Sequence, residues 1–174
     1  MITLPHTGMQ VPDIRIRVTS LKEVDLGNGI AWSAVVRAGK SKLGTVSNGG
    51  RGGPTEFDAA TDAAQARMAA FVDQCRDRDG APMDTTDVVE TLTEEYEWAR
   101  DLARAERKGR YVVRYFDRIG IPGRIEFTLP KAAPPDYAPI RRATVQLKLP
   151  PQTVRAELWM GPEQGWFVFH RPAD

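Results

Sequence analysis

Alternating apolar and polar residues near the N-terminus predict β-strands. In residues 14–19 (IRIRVT), three apolar side chains alternate with polar ones, the pattern of a half-buried strand. Residues 29–37 have the composition of a second strand, and residues 43–47 return the chain as the other arm of a hairpin. The N-terminal quarter therefore predicts antiparallel strands, with Ile14, Ile16 and Val18 on the inner side of the first.

Apolar spacing then changes to three and four residues, which predicts two helices of about 20 residues. The first is expected over residues 55–76, where Thr55 and Asp58 resemble a capping box. The second is expected over residues 85–108, with acidic residues crowding its first half and basic ones its last turn. Gly109 follows at the position that commonly ends a helix.

The remainder of the chain returns to extended patterns. Four prolines within residues 130–142 favour an extended connection. This order predicts an α+β fold with a largely antiparallel sheet and two helices inserted between N-terminal and C-terminal strands. We expect a core domain over residues 1–129, a proline-rich connection over 130–142, and a C-terminal β segment over 143–174. That segment packs on the core or on a partner chain, and its predicted strands are residues 143–149, 154–160 and 165–170.

Composition narrows the setting. The 174 residues include one cysteine, which excludes an internal disulfide and suits a reducing compartment. No long apolar run predicts a membrane span, and the N-terminus lacks a secretory pattern, so a cytoplasmic protein is expected. The formal net charge of +1 is unevenly distributed, because residues 56–99 carry twelve acidic and three basic groups. Such asymmetry either marks a charged binding face or is neutralised within the fold.

A glycine-rich loop around Arg51 is the first candidate site. Successive glycine amides can form a nest for an anion, and the predicted helix would add its N-terminal N–H groups. Neither a P-loop nor a dinucleotide-binding motif is present, so a tight corner that serves only backbone geometry is the alternative. The predicted anion-binding residues are Asn48, Gly49, Gly50, Arg51, Gly52, Gly53 and Thr55.

A basic strand over residues 106–118 is the second candidate. Arginines alternate with aromatic residues, an arrangement that suits phosphates and bases of a single-stranded nucleic acid. The predicted basic surface comprises Arg110, Arg114 and Arg118. Alternatively, the tyrosines belong to the core and the arginines meet the acidic helices.

Few residues suit catalysis. The two histidines lie near opposite ends, and neither a Cys-x-x-Cys pair nor a Gly-x-Ser-x-Gly elbow occurs. Cys75 lies on the apolar stripe of the first helix and is expected to be buried. Glu90, Glu94 and Glu97 lie on adjacent turns, which suits either a divalent cation or, more commonly, a solvated acidic face. No cofactor and no metal site are predicted.

The first hundred or so residues resemble a family of short, uncharacterised bacterial and phage proteins. The resemblance lies in a strand and hairpin that end in a V-x-N-x-G-x-G-G element, followed by two helices and a basic strand. The matching residues here are Val46, Asn48, Gly50, Gly52 and Gly53. The family has no assigned activity, so the resemblance implies a phage or mobile-element origin and no mechanism.

These observations lead to a preferred hypothesis and two alternatives. The preferred one is a non-enzymatic accessory protein that binds an anionic partner, either nucleic acid or a nucleotide, through the Gly-Arg loop and the basic surface. The second is a protein–protein module that forms homo-oligomers through its C-terminal segment or blocks a host factor, with Trp159 and Trp166 at the interface. The least favoured is a metal-dependent hydrolase.

Overall fold

The structure is a computed structural model and describes residues 1–171. It confirms a mixed α+β protein with antiparallel sheets. The chain divides into two compact units, Met1–Ala99 and Arg100–Asp174, each with its own four-stranded sheet and core.

The first unit is built on an antiparallel meander. Its strands lie in the order in which they occur in the chain, joined by short turns and the glycine loop. A separate two-stranded ladder precedes them. The ladder consists of β1 (Ile2–Thr3) and β2 (Gln10–Val11), and the meander of β3 (Ile16–Asp25), β4 (Ile30–Ala38), β5 (Ser41–Asn48) and β6 (Glu56–Ala59).

Two helices follow the meander, α1 (Asp62–Val72) and α2 (Thr85–Arg107). The prediction of a first helix over 55–76 was wrong at both ends. Residues 56–59 extend the sheet instead, because Phe57 pairs with Val46 and continues the inner face of β5. The cap of α1 is Thr61, whose hydroxyl accepts a hydrogen bond of 3.1 Å from the Ala64 amide. The second helix has about the predicted bounds.

The inner face of the first sheet carries a buried core at one end. Ala34, Val36 and Val46 are at most 1% exposed and pack with apolar residues of both helices. A bulge between Val18 and Ser20 changes the phase of β3, so that Val18 lies opposite Val36 and Leu21 opposite Ala34. Both side chains thereby reach the same face although they are three positions apart.

The second unit combines the basic strand with the C-terminal hairpin. Its sheet order is β10-β9-β7-β8, in which β9 pairs with β7. The C-terminal hairpin thus shares a sheet with residues 111–127, although the two were predicted from the sequence as parts of different segments. The strands are β7 (Tyr111–Phe116), β8 (Pro122–Phe127), β9 (Arg155–Trp159) and β10 (Trp166–His170).

The proline-rich connection packs onto this sheet. Tyr111 donates a hydrogen bond of 2.6 Å from its hydroxyl to the Asp136 carbonyl oxygen, and Ile140 is fully buried beside Tyr111 and Leu158. The strand predicted over 143–149 is absent, because α3 (Ile140–Ala143) and a 3₁₀ turn (Thr144–Gln146) occupy its first half.

Candidate functional site

The glycine loop is closed by the protein's own Asn48. The side-chain amide nitrogen of Asn48 (Nδ2) donates to the Gly53 carbonyl oxygen at 3.2 Å and to the Thr55 hydroxyl at 3.0 Å. Its oxygen accepts a hydrogen bond of 2.8 Å from the Gly50 amide. One amide of the predicted nest is therefore engaged within the loop, and the Thr55 side chain is buried.

Two glycines hold the loop against the β3–β4 hairpin. A Cβ on Gly29 would lie 1.8 Å from the Gly50 carbonyl oxygen, and a Cβ on Gly50 would lie 2.4 Å from the Ile30 carbonyl carbon. Gly50 also adopts a φ of +68°, which residues with a Cβ rarely adopt. By contrast, Cβ atoms on Gly49 or Gly53 would meet open space. Backbone contact thus explains why position 50 requires glycine, but it does not explain the glycines at positions 49 and 53.

The helix N-terminus expected beside the loop lies elsewhere. Strand β6 separates Thr55 from α1, which begins at Asp62, so the positive end of the helix dipole is not supplied at Thr55. Arg51 and Gly52 are exposed. Anion binding by this loop therefore stays a prediction, and two of its physical supports are missing.

The predicted basic surface includes a buried arginine. Arg114 is 6% exposed, and its Nε donates to Glu157 at 2.5 Å. Its guanidinium also lies 4.0 Å from the centroid of the Trp166 ring. Glu157 is 1% exposed and pairs with Arg155 as well. Arg114 lies opposite Glu157 in the β7–β9 ladder, so the two charged side chains pair with each other in the interior.

The other predicted residues of the second unit have separate surroundings. Arg110 pairs with Glu126 at 3.1 Å, and Arg118 is exposed in the turn between β7 and β8. Trp159 and Trp166 lie with their ring centroids 5.2 Å apart, and Trp159 is 9% exposed. The structure thus brings Arg114 and Trp166 together in packing, and it does not gather the three arginines into one exposed group.

An acidic cleft in the first unit combines a concave surface with several polar groups, and it was not predicted from the sequence. Its floor is the inner face of the sheet beyond the core, where Glu23, Trp32 and Asn48 lie side by side on three strands. Its wall is α2. The volume is about 700 Å³, within the range of about 300–1,000 Å³ typical of ligand sites. Six carboxylate residues line it: Glu23, Asp77, Asp87, Glu90, Glu94 and Glu97.

The wall carboxylates form a stripe on one side of α2. Asp87, Glu90, Glu94 and Glu97 are spaced by three, four and three residues, so they follow one another along the helix surface. Asp87, Glu90 and Glu94 are exposed, whereas their neighbours Val88 and Val89 are fully buried in the core. Within residues 1–171, no lysine or arginine is among the lining residues. The cleft therefore favours positively charged groups.

The sequence contained one signal of this cleft. The helical spacing of Glu90, Glu94 and Glu97 was visible and was interpreted as a solvated face or a cation site. This spacing does not predict the opposing floor of the cleft, because Trp32 lies 58 or more positions earlier in the chain than the three glutamates. Across the described part of the chain, no group of three or more His, Cys, Asp or Glu is placed to hold a metal ion.

Other reactive side chains lie apart from this cleft. Burial raises the pKa of the Cys75 thiol to about 11, with Arg76 acting in the opposite direction, so the thiolate form is disfavoured. His6 is buried, and its backbone amide donates to the Glu95 carboxylate. His170 lines a separate groove in the second unit.

Comparison with protein-family models, curated proteins and solved structures gave no match. The resemblance carried by Val46, Asn48 and the glycines, and the phage origin that it implies, remain predictions. Among residues 1–171, no helix is both long and apolar enough to cross a membrane.

The glycine contacts predict which loop glycine the fold requires. Gly50→Ala should lower the free energy of unfolding by at least about 2 kcal/mol, because a Cβ at positive φ costs about 1–2 kcal/mol and the backbone of Ile30 must also move. Urea unfolding of the full chain measures this. The matched control, Gly49→Ala, should stay within about 0.5 kcal/mol of the wild type. Equal losses in both variants would contradict the packing role.

The buried ion pair predicts that Arg114 and Arg118, two residues of the predicted basic surface, contribute very differently to stability. Arg114→Ala should cost up to about 3 kcal/mol of stability, because it removes one of the two arginines that pair with the buried Glu157 carboxylate. Arg118→Ala, in the exposed turn, should change stability by less than about 0.5 kcal/mol. Thermal and urea unfolding check both. An Arg114→Ala variant as stable as the wild type would show that the pair is not structural.

Proposed function

We propose that the chain is a non-enzymatic binding protein whose acidic cleft holds a positively charged polypeptide segment of a partner. The observation that carries this proposal is the cleft itself, with carboxylates on floor and wall and no basic residue among its described lining residues. It belongs to the class of protein–protein modules, which was the second hypothesis from the sequence, but the surface lies in the first unit and not at Trp159 and Trp166. The expected setting is an accessory protein of a phage or mobile element acting in the cytoplasm.

The dimensions of the wall favour a chain-like cation. Asp87 and Glu97 are ten positions apart, which corresponds to roughly 15 Å along the helix axis. A polypeptide with several lysines or arginines can meet carboxylates along this whole length, whereas one isolated side chain can meet only one or two. Concave walls also concentrate the field of like charges, which raises the association rate of an oppositely charged partner.

The charge argument predicts a specific loss on neutralising the wall. The variant Glu90→Gln/Glu94→Gln should weaken binding of a fluorescently labelled oligolysine peptide by roughly two- to thirtyfold, since two exposed ion pairs contribute about 0.4–2 kcal/mol. Fluorescence anisotropy at low salt measures the affinity. Wild-type binding should also weaken as salt approaches about 0.15 M, because exposed charges are then screened.

A matched variant separates the cleft from net charge. Glu56→Gln/Asp58→Asn also removes two negative charges, but from exposed positions of β6 that do not line the cleft. It should bind the peptide as the wild type does. If wild-type protein fails to bind at low salt, or if both double variants lose affinity equally, the proposal is wrong.

Anion binding at the Gly-Arg loop is the second candidate function. It is supported by the exposure of Arg51 and by the open space around Gly49, Gly52 and Gly53. Arg51→Ala should then weaken binding of a labelled single-stranded oligonucleotide at low salt, where phosphate contacts are strongest. Lys40→Ala, in the exposed turn before β5, is the charge-matched control. Absence of oligonucleotide binding by the wild type would remove this candidate.

A further inference from the structure

We infer that the occupant of the acidic cleft is an amphipathic basic segment, in which a bulky apolar side chain lies beside the lysines or arginines. This inference rests on the proposed function and adds to it the kind of partner. It is carried by the composition of the floor, which differs from that of the wall.

The floor offers an apolar surface next to the carboxylates. Ile30 lines the cleft and is 55% exposed, while Trp32 and Met83 line it half-buried at the border of the core. The inner face of β4 thus continues from the fully covered Val36 to the largely open Ile30. An apolar group seated on Ile30 would extend the core outward and remove this surface from water.

Charge complementarity decides what kind of chain fits. Asp87, Glu90 and Glu94 on α2 face the same cleft as Ile30, so an occupant meets apolar and anionic surfaces at once. A linear polyamine satisfies the wall alone and leaves Ile30 exposed. A segment that alternates basic and apolar residues satisfies both, because its cations meet α2 while its apolar side chains lie on the sheet.

The hairpin supplies an internal control for this inference. Ile30 lies opposite Asp25 in the β3–β4 ladder, and the adjacent pair is Val24 with Ala31. Successive residues of a strand point to opposite faces, so Val24 lies on the face away from the cleft. Val24 is 58% exposed, close to the 55% of Ile30. Replacing either with serine removes an exposed apolar side chain from the same hairpin, but only Ile30 belongs to the cleft.

The test compares two labelled peptides of equal length and equal lysine content, one with leucine and one with serine at the alternating positions. We expect wild-type protein to bind the lysine–leucine peptide roughly tenfold more tightly, in line with burial of about half an isoleucine side chain on each partner. Ile30→Ser should abolish most of this preference, and Val24→Ser should keep it. Thermal unfolding of both variants checks that they remain folded.

The outcomes distinguish the inference from the proposal on which it rests. Equal affinity for both peptides, with loss of binding in Glu90→Gln/Glu94→Gln, would overturn the amphipathic partner and leave the cationic one. A preference that survives Ile30→Ser, or that Val24→Ser also removes, would overturn the inference as well. If neither peptide binds to the wild type, the acidic cleft itself is not a binding site for basic chains. Spermine binding as tightly as the lysine–leucine peptide would favour a small polycation instead.

Discussion

The close contact between the backbones of Gly29 and Gly50 sets the position of the glycine loop at the open end of the first unit. It holds the glycine loop against the start of β4, where no side chain fits between the two segments. Asn48 then closes the loop from inside and lies beside Trp32 on the floor of the cleft. Of the glycines that suggested an anion site in the sequence, Gly50 thus lets the loop and β4 meet, together with Gly29, which lies outside the predicted site.

The same helix builds the core and the cleft, which ties the charge of the site to the fold. Val88, Val89 and Leu92 of α2 are buried against the sheet, and the carboxylates of Asp87 and Glu90 lie on the adjoining side of the helix. A helix repeats every 3.6 residues, so a wide apolar stripe forces its polar neighbours to the margins of the contact. The margin facing the free end of the hairpin becomes the acidic wall.

Local signals predicted the second helix well and the first poorly. For α2, periodicity, acidic first turns and Gly109, whose amide donates to the Glu106 carbonyl, all indicate the same bounds. For α1, Thr55 looked like a cap, but the long-range pairing of Phe57 with Val46 made that stretch a strand. The cleft and the burial of Arg114 depend on the same kind of information, because Trp32 meets α2 and Arg114 meets Glu157 only after distant strands pair.

The distribution of charge in space, and not its distribution along the chain, decides which charge each surface attracts. The second unit, residues 100–174, has fourteen basic and eight acidic residues, yet Arg114 and Arg124 pair with Glu157 and Asp101 inside it. Burial acts to raise the pKa of Asp101, but hydrogen bonds from Arg124 and Arg100 outweigh it and lower that pKa below its usual value. Arginines paired in this way contribute less to an exposed anion-binding surface. In the first unit, six of the fifteen acidic residues line one concavity, and no lysine or arginine is among its described lining residues. The fold of a sequence that suggested an anionic partner thus presents a surface suited to cationic groups.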